Sequence, residues 1–425
     1  MFILYDLLFF IFIIFYFPVL MIRGKWHRGY IQRWGVFASD LKSALIGRKN
    51  IWIHAVSIGE VSAVIGLIRR LKKEYPSLGI VCSTVTQTGY SLAKQSLNDG
   101  EVVIFAPLDF SFVVKKFIRL ICPKVYIAAE TELWPNLYTF LDQQKIPIVL
   151  VNGRISDRSL GRYKRGRFLV KKILSRVSLF CMQGEVDAKR IVEIGALQGR
   201  TKVVGNLKFD SVPFQEPLDP KTLGFSGQDL IFIAGSTHPG EEKMVLDVFK
   251  NLKSHFSNLR LILSPRHVDR VEELKALVNS LDLKPIFYSK LNGRGLNEDD
   301  VMIVDKIGVL FGLYSLATVV FIGKTLAVGG GQNMIEPAFF SKPVLIGPMT
   351  QNFKDVVRIF LKNEAMIQVQ DKRQLTDELQ RLLRDPSHRD KIGICAGRTV
   401  AQYRGATDKT IQLLKEFVNG SPINR

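Results

Sequence analysis

Ile51-Trp52-Ile53-His54-Ala55-Val56-Ser57-Ile58-Gly59-Glu60 decides how the rest of this chain is read. It is a short apolar run ending in a glycine-containing turn, with an amphipathic pattern from Val61 to Leu71 behind it. A run of this kind, bounded by turn residues, suits a strand of a parallel sheet covered on both faces. In open α/β sheets, ligands bind beyond the carboxyl ends of the strands, where loops enter helices. Glu60 stands at such a place, at the expected start of a helix, where the helix dipole favours an ionised carboxylate. Such a group could serve as a general base. Helix-starting glutamates are also common as caps on a solvated surface, and spacing alone leaves both roles open.

Outward from this stretch the pattern repeats. Strands are expected at 51–56, 79–85, 102–108, 125–129, 146–152, 179–182 and 202–204, with helical patterns between them. A second series is expected at 230–234, 259–263, 284–288, 301–304, 319–322, 344–346 and 367–369. Alternation of this kind is the mark of doubly wound parallel sheets. The expected class is α/β, with two Rossmann-like domains facing across a cleft. Domain bounds are set at 23–210 and 229–385. A Pro- and Gly-containing linker at 211–228 joins them, and a helical tail at 386–425 is expected to pack back across the hinge.

The 425 residues carry a net charge of +20. Such a charge calls for a nucleic acid, an anionic membrane or an anionic substrate as partner. No nucleic-acid motif or interleaving of aromatic and basic residues occurs, so nucleic acid is set aside. Cys82, Cys122, Cys181 and Cys395 form no close pair and no C-x-x-C, which excludes a disulfide framework and a zinc ribbon. Phe2 to Ile22 is almost wholly apolar, broken by Asp6 and Pro18, and Arg23, Lys25, His27, Arg28 and Arg33 follow it. About 20 apolar residues can cross a bilayer. Basic residues after the run, with no cleavage site, point to a retained membrane anchor at 1–22 and a cytoplasmic body at the inner membrane. Asp6 and Pro18 leave open a helix lying in the interface instead.

Further stretches could carry chemistry. Glu130-Thr131-Glu132-Leu133-Trp134-Pro135-Asn136 places two carboxylates after the fourth strand, either for acid/base work or as helix-start charge with Trp134 as a packing anchor. Lys208 in Gly205-Asn206-Leu207-Lys208-Phe209-Asp210 could meet developing negative charge or simply be solvated. Ser236-Thr237-His238-Pro239-Gly240-Glu241-Glu242 offers backbone donors to an anion but is no Walker loop. Ser264-Pro265-Arg266-His267 brings a guanidinium that can grip a phosphate at two points. Gly329-Gly330-Gly331-Gln332-Asn333-Met334-Ile335-Glu336 suits a nucleotide sugar, the glycines allowing close approach, the helix start attracting phosphate through its dipole and Glu336 accepting from ribose hydroxyls. A glycine turn with a capping network is the alternative.

Taken together, V-S-I-G-E at 56–60, E-T-E-L-W-P-N at 130–136, G-N-L-K-F-D at 205–210, S-T-H-P-G-E-E at 236–242, S-P-R-H at 264–267 and N-M-I-E-P-A at 333–338 resemble the 3-deoxy-D-manno-octulosonic acid (Kdo) transferases of lipopolysaccharide synthesis. Their order and spacing match over nearly the whole chain. The resemblance implies a GT-B fold, with the acceptor in the first domain and the nucleotide sugar in the second, and inverting transfer of Kdo from a CMP-Kdo donor to a lipid A precursor, lipid IVA, without cofactor or required metal. It implies Glu60 as general base, with Glu130 and Lys208 supporting the transition state. It implies CMP held at Pro265 and Arg266, at Ile307, Gly308 and Val309, and at Asn333, Met334, Ile335 and Glu336. Anionic inner-membrane lipid is the further expected partner.

Gln332 stands where the family usually has histidine, Val309 where it commonly has glutamate, and Lys324 follows Gly323 where the family has G-G-S. Gln332 cannot titrate, and Lys324 adds a cation near the expected donor phosphate. These departures keep two alternatives: a GT-B transferase with another nucleotide sugar, and a non-catalytic membrane-associated scaffold of the same fold.

Overall fold

The computed structural model describes residues 5–11, 13–15, 29–97, 100–211, 216–291, 293 and 295–420. The chain divides into two units. The first runs to Ser211 and takes the chain up again from Tyr403, and the intervening chain to Gln402 forms the second.

The first unit holds a seven-stranded sheet in the order β3-β2-β1-β4-β5-β6-β7. Its strands are β1 (Asn50–His54), β2 (Gly79–Thr84), β3 (Glu101–Phe105), β4 (Pro123–Ala129), β5 (Ile148–Gly153), β6 (Leu179–Met182) and β7 (Thr201–Val203). Every pairing is parallel. The side-chain alternation of a strand sends Trp52 and Tyr126 to one face, where they pack with Phe117, Tyr138 and Phe180. Ile51, Ile53, Val125 and Ile127 go to the other, against Val61, Val64, Leu67 and Ile68 of the helix Ile58–Glu74. Both faces are covered, which is why β1 and β4 read as continuous apolar runs.

The second unit holds a seven-stranded parallel sheet in the order β10-β11-β9-β8-β12-β13-β14. Its strands are β8 (Leu230–Thr237), β9 (Leu259–Pro265), β10 (Lys284–Phe287), β11 (Asp300–Ile303), β12 (Val319–Ile322), β13 (Val344–Ile346) and β14 (Ile367–Gln368). All the expected strands exist, with ends shifted by up to three residues.

The expected helical tail divides. Helix Pro386–Tyr403 places Ile392 in the core of the second unit. Helix Ala406–Val418 completes the core of the first with Ala406, Ile411, Leu414 and Val418. Asp210 fixes that helix: Oδ1 accepts from Gly405 N–H (2.7 Å) and Oδ2 from Thr407 N–H (2.6 Å). A carboxylate on free helix-start amides also faces the positive end of the dipole.

The expected membrane anchor at 1–22 lies partly outside the described residues. Residues 5–11 and 13–15 are helical. Among the described residues no helix is long and apolar enough to cross a membrane.

Asp210→Ala should cost the first unit about 1–3 kcal/mol, the cost of leaving two amides at a helix start without their carboxylate. Urea unfolding followed by circular dichroism measures it, and a change under 0.5 kcal/mol would contradict the capping role.

Candidate active site

In the first sheet the chain winds outward in both directions from its first strand; in the second it also leaves the first strand to either side, with β11 returning between β9 and β10, so a topological switch point lies beside each first strand. In the first unit the switch falls between β1 and β4, where ligands of open α/β sheets collect. Glu60 follows β1 and Glu130 follows β4.

The helix after β1 begins at Ile58, two residues earlier than the sequence pattern indicates, so Glu60 lies within its first turn. Its carboxylate turns back on the chain. Val56 N–H donates to Oε2 (2.7 Å) and the Ser57 hydroxyl donates to Oε1 (3.0 Å). This is not a capping box, since Ser57, the N-cap residue, donates to the carboxylate and caps no helix amide. The side chain is 7% exposed. Burial, followed by the charges of Glu130 and Glu132, pushes its carboxyl up to about 8, against the two hydrogen bonds. The expectation of a carboxylate ionised by the helix dipole is therefore corrected. Dipole and donors favour the anion by about a kcal/mol each, less than loss of water beside two like charges takes away. Glu132 is itself raised to about 7 by burial and by Glu130.

The segment 130–136 is held from several sides. Glu130 has φ 54°, a left-handed backbone for a non-glycine residue. Thr131 Oγ1 donates to Arg154 O (2.7 Å), and Tyr138 Oη donates to Glu132 O (2.6 Å). Beneath it His54 is buried, its ring 5.9 Å from that of Trp134 at a steep angle. Burial lowers the imidazole to about 4, so it is neutral, and its Nε2 has no hydrogen-bond partner among the described residues. Trp134 is thus a packing anchor, and the two carboxylates face the same region as Glu60.

Lys208 lies in the 3₁₀ turn Leu207–Asp210. Asn206 Oδ1 accepts from Lys208 N–H (3.0 Å), and Asn152 Oδ1 accepts from Leu207 N–H (3.1 Å). Asn152, at the end of β5, has φ 54° and a buried Nδ2 with no hydrogen-bond partner among the described residues. Strand ends β1, β4, β5 and β7 thus bring Glu60, Glu130, Asn152 and Lys208 to one end of one sheet.

In the second unit the switch falls between β8 and β12. Here the loops are tied by Glu241, which is fully buried. Its Oε2 accepts from His238 N–H (3.1 Å) and Lys324 N–H (2.7 Å), and its Oε1 from Thr325 N–H (2.9 Å) and Leu326 N–H (3.0 Å). Ser236 and Lys324, at the ends of β8 and β12, both have left-handed backbones, with φ 55° and 59°. Such backbones cost about 1–3 kcal/mol each and gather at ligand sites. A Cβ on Gly235 would lie 2.1 Å from Tyr314 Oη, so only glycine lets that ring reach under the turn.

Pro265 is buried at the end of β9, and Arg266 is exposed just beyond it. Arg266 N–H donates to Thr237 O (3.0 Å), which sets the residue beside the β8 turn. Asn333 Nδ2 donates to Glu336 Oε1 (2.9 Å), and Asn333 Oδ1 accepts from Ile335 N–H. Burial raises Glu336 to about 7, opposed by Asn333 and by the charge of Arg266. So Arg266, Asn333 and Glu336 are brought together. Met334 and Ile335 are buried and serve this arrangement through packing. The helix that follows, Ile335–Phe339, has five residues. The expected dipole attraction for phosphate is accordingly small, since few peptide units align. Ile307, Gly308 and Val309 form a separate loop after β11, with Ile307 81% exposed and Gly308 at φ 88°.

Among the described residues no group of three or more His, Cys, Asp or Glu is disposed to hold a metal ion.

A family model described as 3-deoxy-D-manno-octulosonic-acid transferase (kdotransferase) matches residues 28–211. The 3-deoxy-D-manno-octulosonic acid transferase of Haemophilus influenzae is 32% identical over 378 residues, covering 87% of this chain and 87% of that protein. This chain belongs to the Kdo transferase family. The Aquifex aeolicus Kdo transferase is 30% identical and covers 78% of this chain and 86% of its own length. A bifunctional glycosyltransferase/methyltransferase of Fusobacterium nucleatum is 36% identical over 83% of this chain, which spans 55% of that longer protein. Among solved structures, the UDP-GlcNAc 2-epimerase of Neisseria meningitidis bound to UDP-GlcNAc superposes with a TM-score of 0.55 at 12% identity. It covers 86% of this chain and all of its own, a likeness of fold, of the GT-B kind.

Against that family background, His54, Glu132, Asn152, Glu241 and Tyr314 are the residues missing from the sequence-derived site. Glu132 and Glu241 stood in quoted motifs. The weight of His54 and Asn152 follows from burial and from contacts with residues distant in sequence.

Glu60→Gln removes a carboxyl that holds its proton more tightly folded than unfolded. Such a group costs stability as pH rises from its unfolded range near 4.5 to about 8. The variant's stability relative to the parent should therefore grow between pH 5 and pH 8, by about 1–3 kcal/mol. Urea midpoints across that range test this, and a pH-independent difference would refute the raised carboxyl.

Proposed function

We propose that this Kdo transferase moves Kdo from CMP-Kdo to a lipid A precursor, lipid IVA, in lipopolysaccharide core biosynthesis, in one inverting displacement. Supporting this reading are family membership over most of the chain and, above all, a buried glutamate at the switch point of the first sheet, with two further carboxylates beside it.

In this reading Glu60 takes the proton from an acceptor sugar hydroxyl, whose oxygen attacks the anomeric carbon of Kdo. The bond to CMP breaks with its electron pair on the phosphate. A carboxylate whose conjugate acid lies near pH 8 is a stronger base than an ordinary glutamate and is still partly ionised at cellular pH. Glu130 and Glu132 raise that basicity. Lys208, set by Asn206 and Asn152, offers positive charge as the leaving group departs. CMP is assigned to the second unit, with Arg266 on its phosphate, Asn333 and Glu336 toward the ribose, Pro265, Met334 and Ile335 shaping the seat, and the loop Ile307–Val309 beside it. Lys324, at the strained end of β12, adds a second cation toward phosphate.

We also propose that the body works on the cytoplasmic face of the inner membrane, beside anionic lipid. The apolar run to Ile22 and the basic residues behind it support this. Fractionation of cells expressing the full chain tests it, and recovery in the salt-washed soluble fraction would count against it.

Radiolabelled CMP-Kdo with lipid IVA should yield labelled product. Glu60→Gln should lower kcat by about 10²–10⁴-fold with CMP affinity retained. In the parent, kcat/KM for acceptor should climb with pH until about 8 and then level. Near-normal turnover by the glutamine variant would remove the base assignment. Arg266→Ala should weaken CMP binding about 10–100-fold by calorimetry, the worth of a charge-assisted contact, and unchanged affinity would move the phosphate elsewhere.

A further inference from the structure

Asp6 is the single charged side chain between Phe2 and Ile22. It lies on a helical stretch with two unlike faces. Leu7, Leu8, Phe10, Ile11, Ile14 and Phe15 are exposed. Tyr5, Asp6, Phe9 and Ile13 turn toward the first unit, where Phe9 and Ile13 pack on its core and Phe9 meets Phe110 edge to face at 5.0 Å.

Asp6 makes several connections there. Ser111 N–H donates to its carboxylate (3.1 and 3.3 Å), and Ser111 Oγ donates to Oδ2 (2.5 Å). Helix Ser111–Ile121 has no side-chain cap from its own N-cap residue, Phe110. Asp6 supplies the missing acceptor from far away in the chain. Its Oδ1 also accepts from Asn136 Nδ2 (2.7 Å).

Asn136 is the second residue of helix Pro135–Gln143, directly after the segment that bears Glu130 and Glu132. That helix likewise lacks a cap from Trp134, its own N-cap residue. Asp109 provides it, accepting from Asn136 N–H (3.0 Å) and Leu137 N–H (2.9 Å). Asn136 Nδ2 donates to Asp109 O as well (2.6 Å), and Tyr5 Oη donates to Asp109 Oδ2 (3.0 Å). Asp6 thus holds Asn136 directly, and Tyr5 holds the Asp109 carboxylate that caps the same helix.

We infer that Asp6 is a positioning residue for acceptor binding: through Asn136 it ties the seat of the N-terminal apolar helix to the setting of the Glu130–Trp134 segment. The inference rests on the reading that the first unit takes the lipid acceptor. An apolar helix that served only as a tether would have no need to grip the loop beside the carboxylates. Seated through Asp6, the helix holds that loop in the form that receives acceptor, and unseated it releases the loop.

The test uses the full-length chain with lipid IVA in mixed micelles and radiolabelled CMP-Kdo. Asp6→Ala should raise the acceptor KM at least fivefold, with kcat at saturating acceptor and CMP affinity within twofold of the parent. Asp6→Asn keeps an oxygen for Ser111 but sets an amide against the Asn136 amide, so it should raise KM less. Asp6→Ala combined with Asn136→Ala should match the weaker of the single variants rather than add to it. A merely structural cap would lower Tm without this split. An acceptor KM within twofold of the parent, a loss falling on kcat or CMP affinity, or additive effects would overturn the inference. Should Asp6→Ala fail to fold, Asp6→Asn is judged by the same KM criterion. A parent chain that forms no product overturns the functional reading and this inference together, whereas an active parent with unmoved KM values overturns the inference alone.

Discussion

The removal of water from the Glu60 carboxyl, beside two more carboxylates, is the constraint on which the chemistry of the first unit depends. A helix start with two donors would ordinarily leave a glutamate ionised. Here burial and the neighbouring charges outweigh those donors, and the group becomes a base that keeps its proton until near pH 8. That balance exists because β1 and β4 are adjacent in the sheet while far apart in the chain. The same adjacency makes the switch point.

The second unit solves the opposite problem with the same residue type. Glu241 is more deeply buried than Glu60, yet four backbone amides meet its carboxylate. It is a fastener, holding the turns after β8 and β12 in register. Glu60 has fewer donors and carboxylate neighbours, and Glu241 has amides on both oxygens. One is poised to exchange a proton and the other to hold a loop. The left-handed residues Glu130, Asn152, Ser236 and Lys324 mark the strand ends around both switch points, where packing holds the backbone against its own preference.

Much of this was legible in the residues. Runs such as Ile51–His54 and Val319–Ile322 announce buried strands, because β-branched and aromatic side chains suit a pleated surface covered on both sides. The motifs put Glu60, Glu130, Lys208 and Arg266 after strands and Glu336 at the start of a helix, where the structure has them. The protonation of Glu60 was not legible, since it depends first on burial and then on Glu130 and Glu132, some seventy residues on. Nor was the work of Asp6, which reads as an interruption of an apolar run until Ser111 and Asn136 come beside it. The dipole argument for the glycine-rich stretch failed because sequence does not disclose that Ile335–Phe339 stops after a single turn or so. In each case the deciding partner was remote, and periodicity reports only on near neighbours.

Helix Ala406–Val418 has a consequence for how the protein is made. Ile411, Leu414 and Val418 fill the interior of the first unit, although they follow the whole of the second unit in the chain. The earlier unit therefore waits, with an unfilled apolar floor, while the later one can already be complete. Its core closes only once that helix has been made.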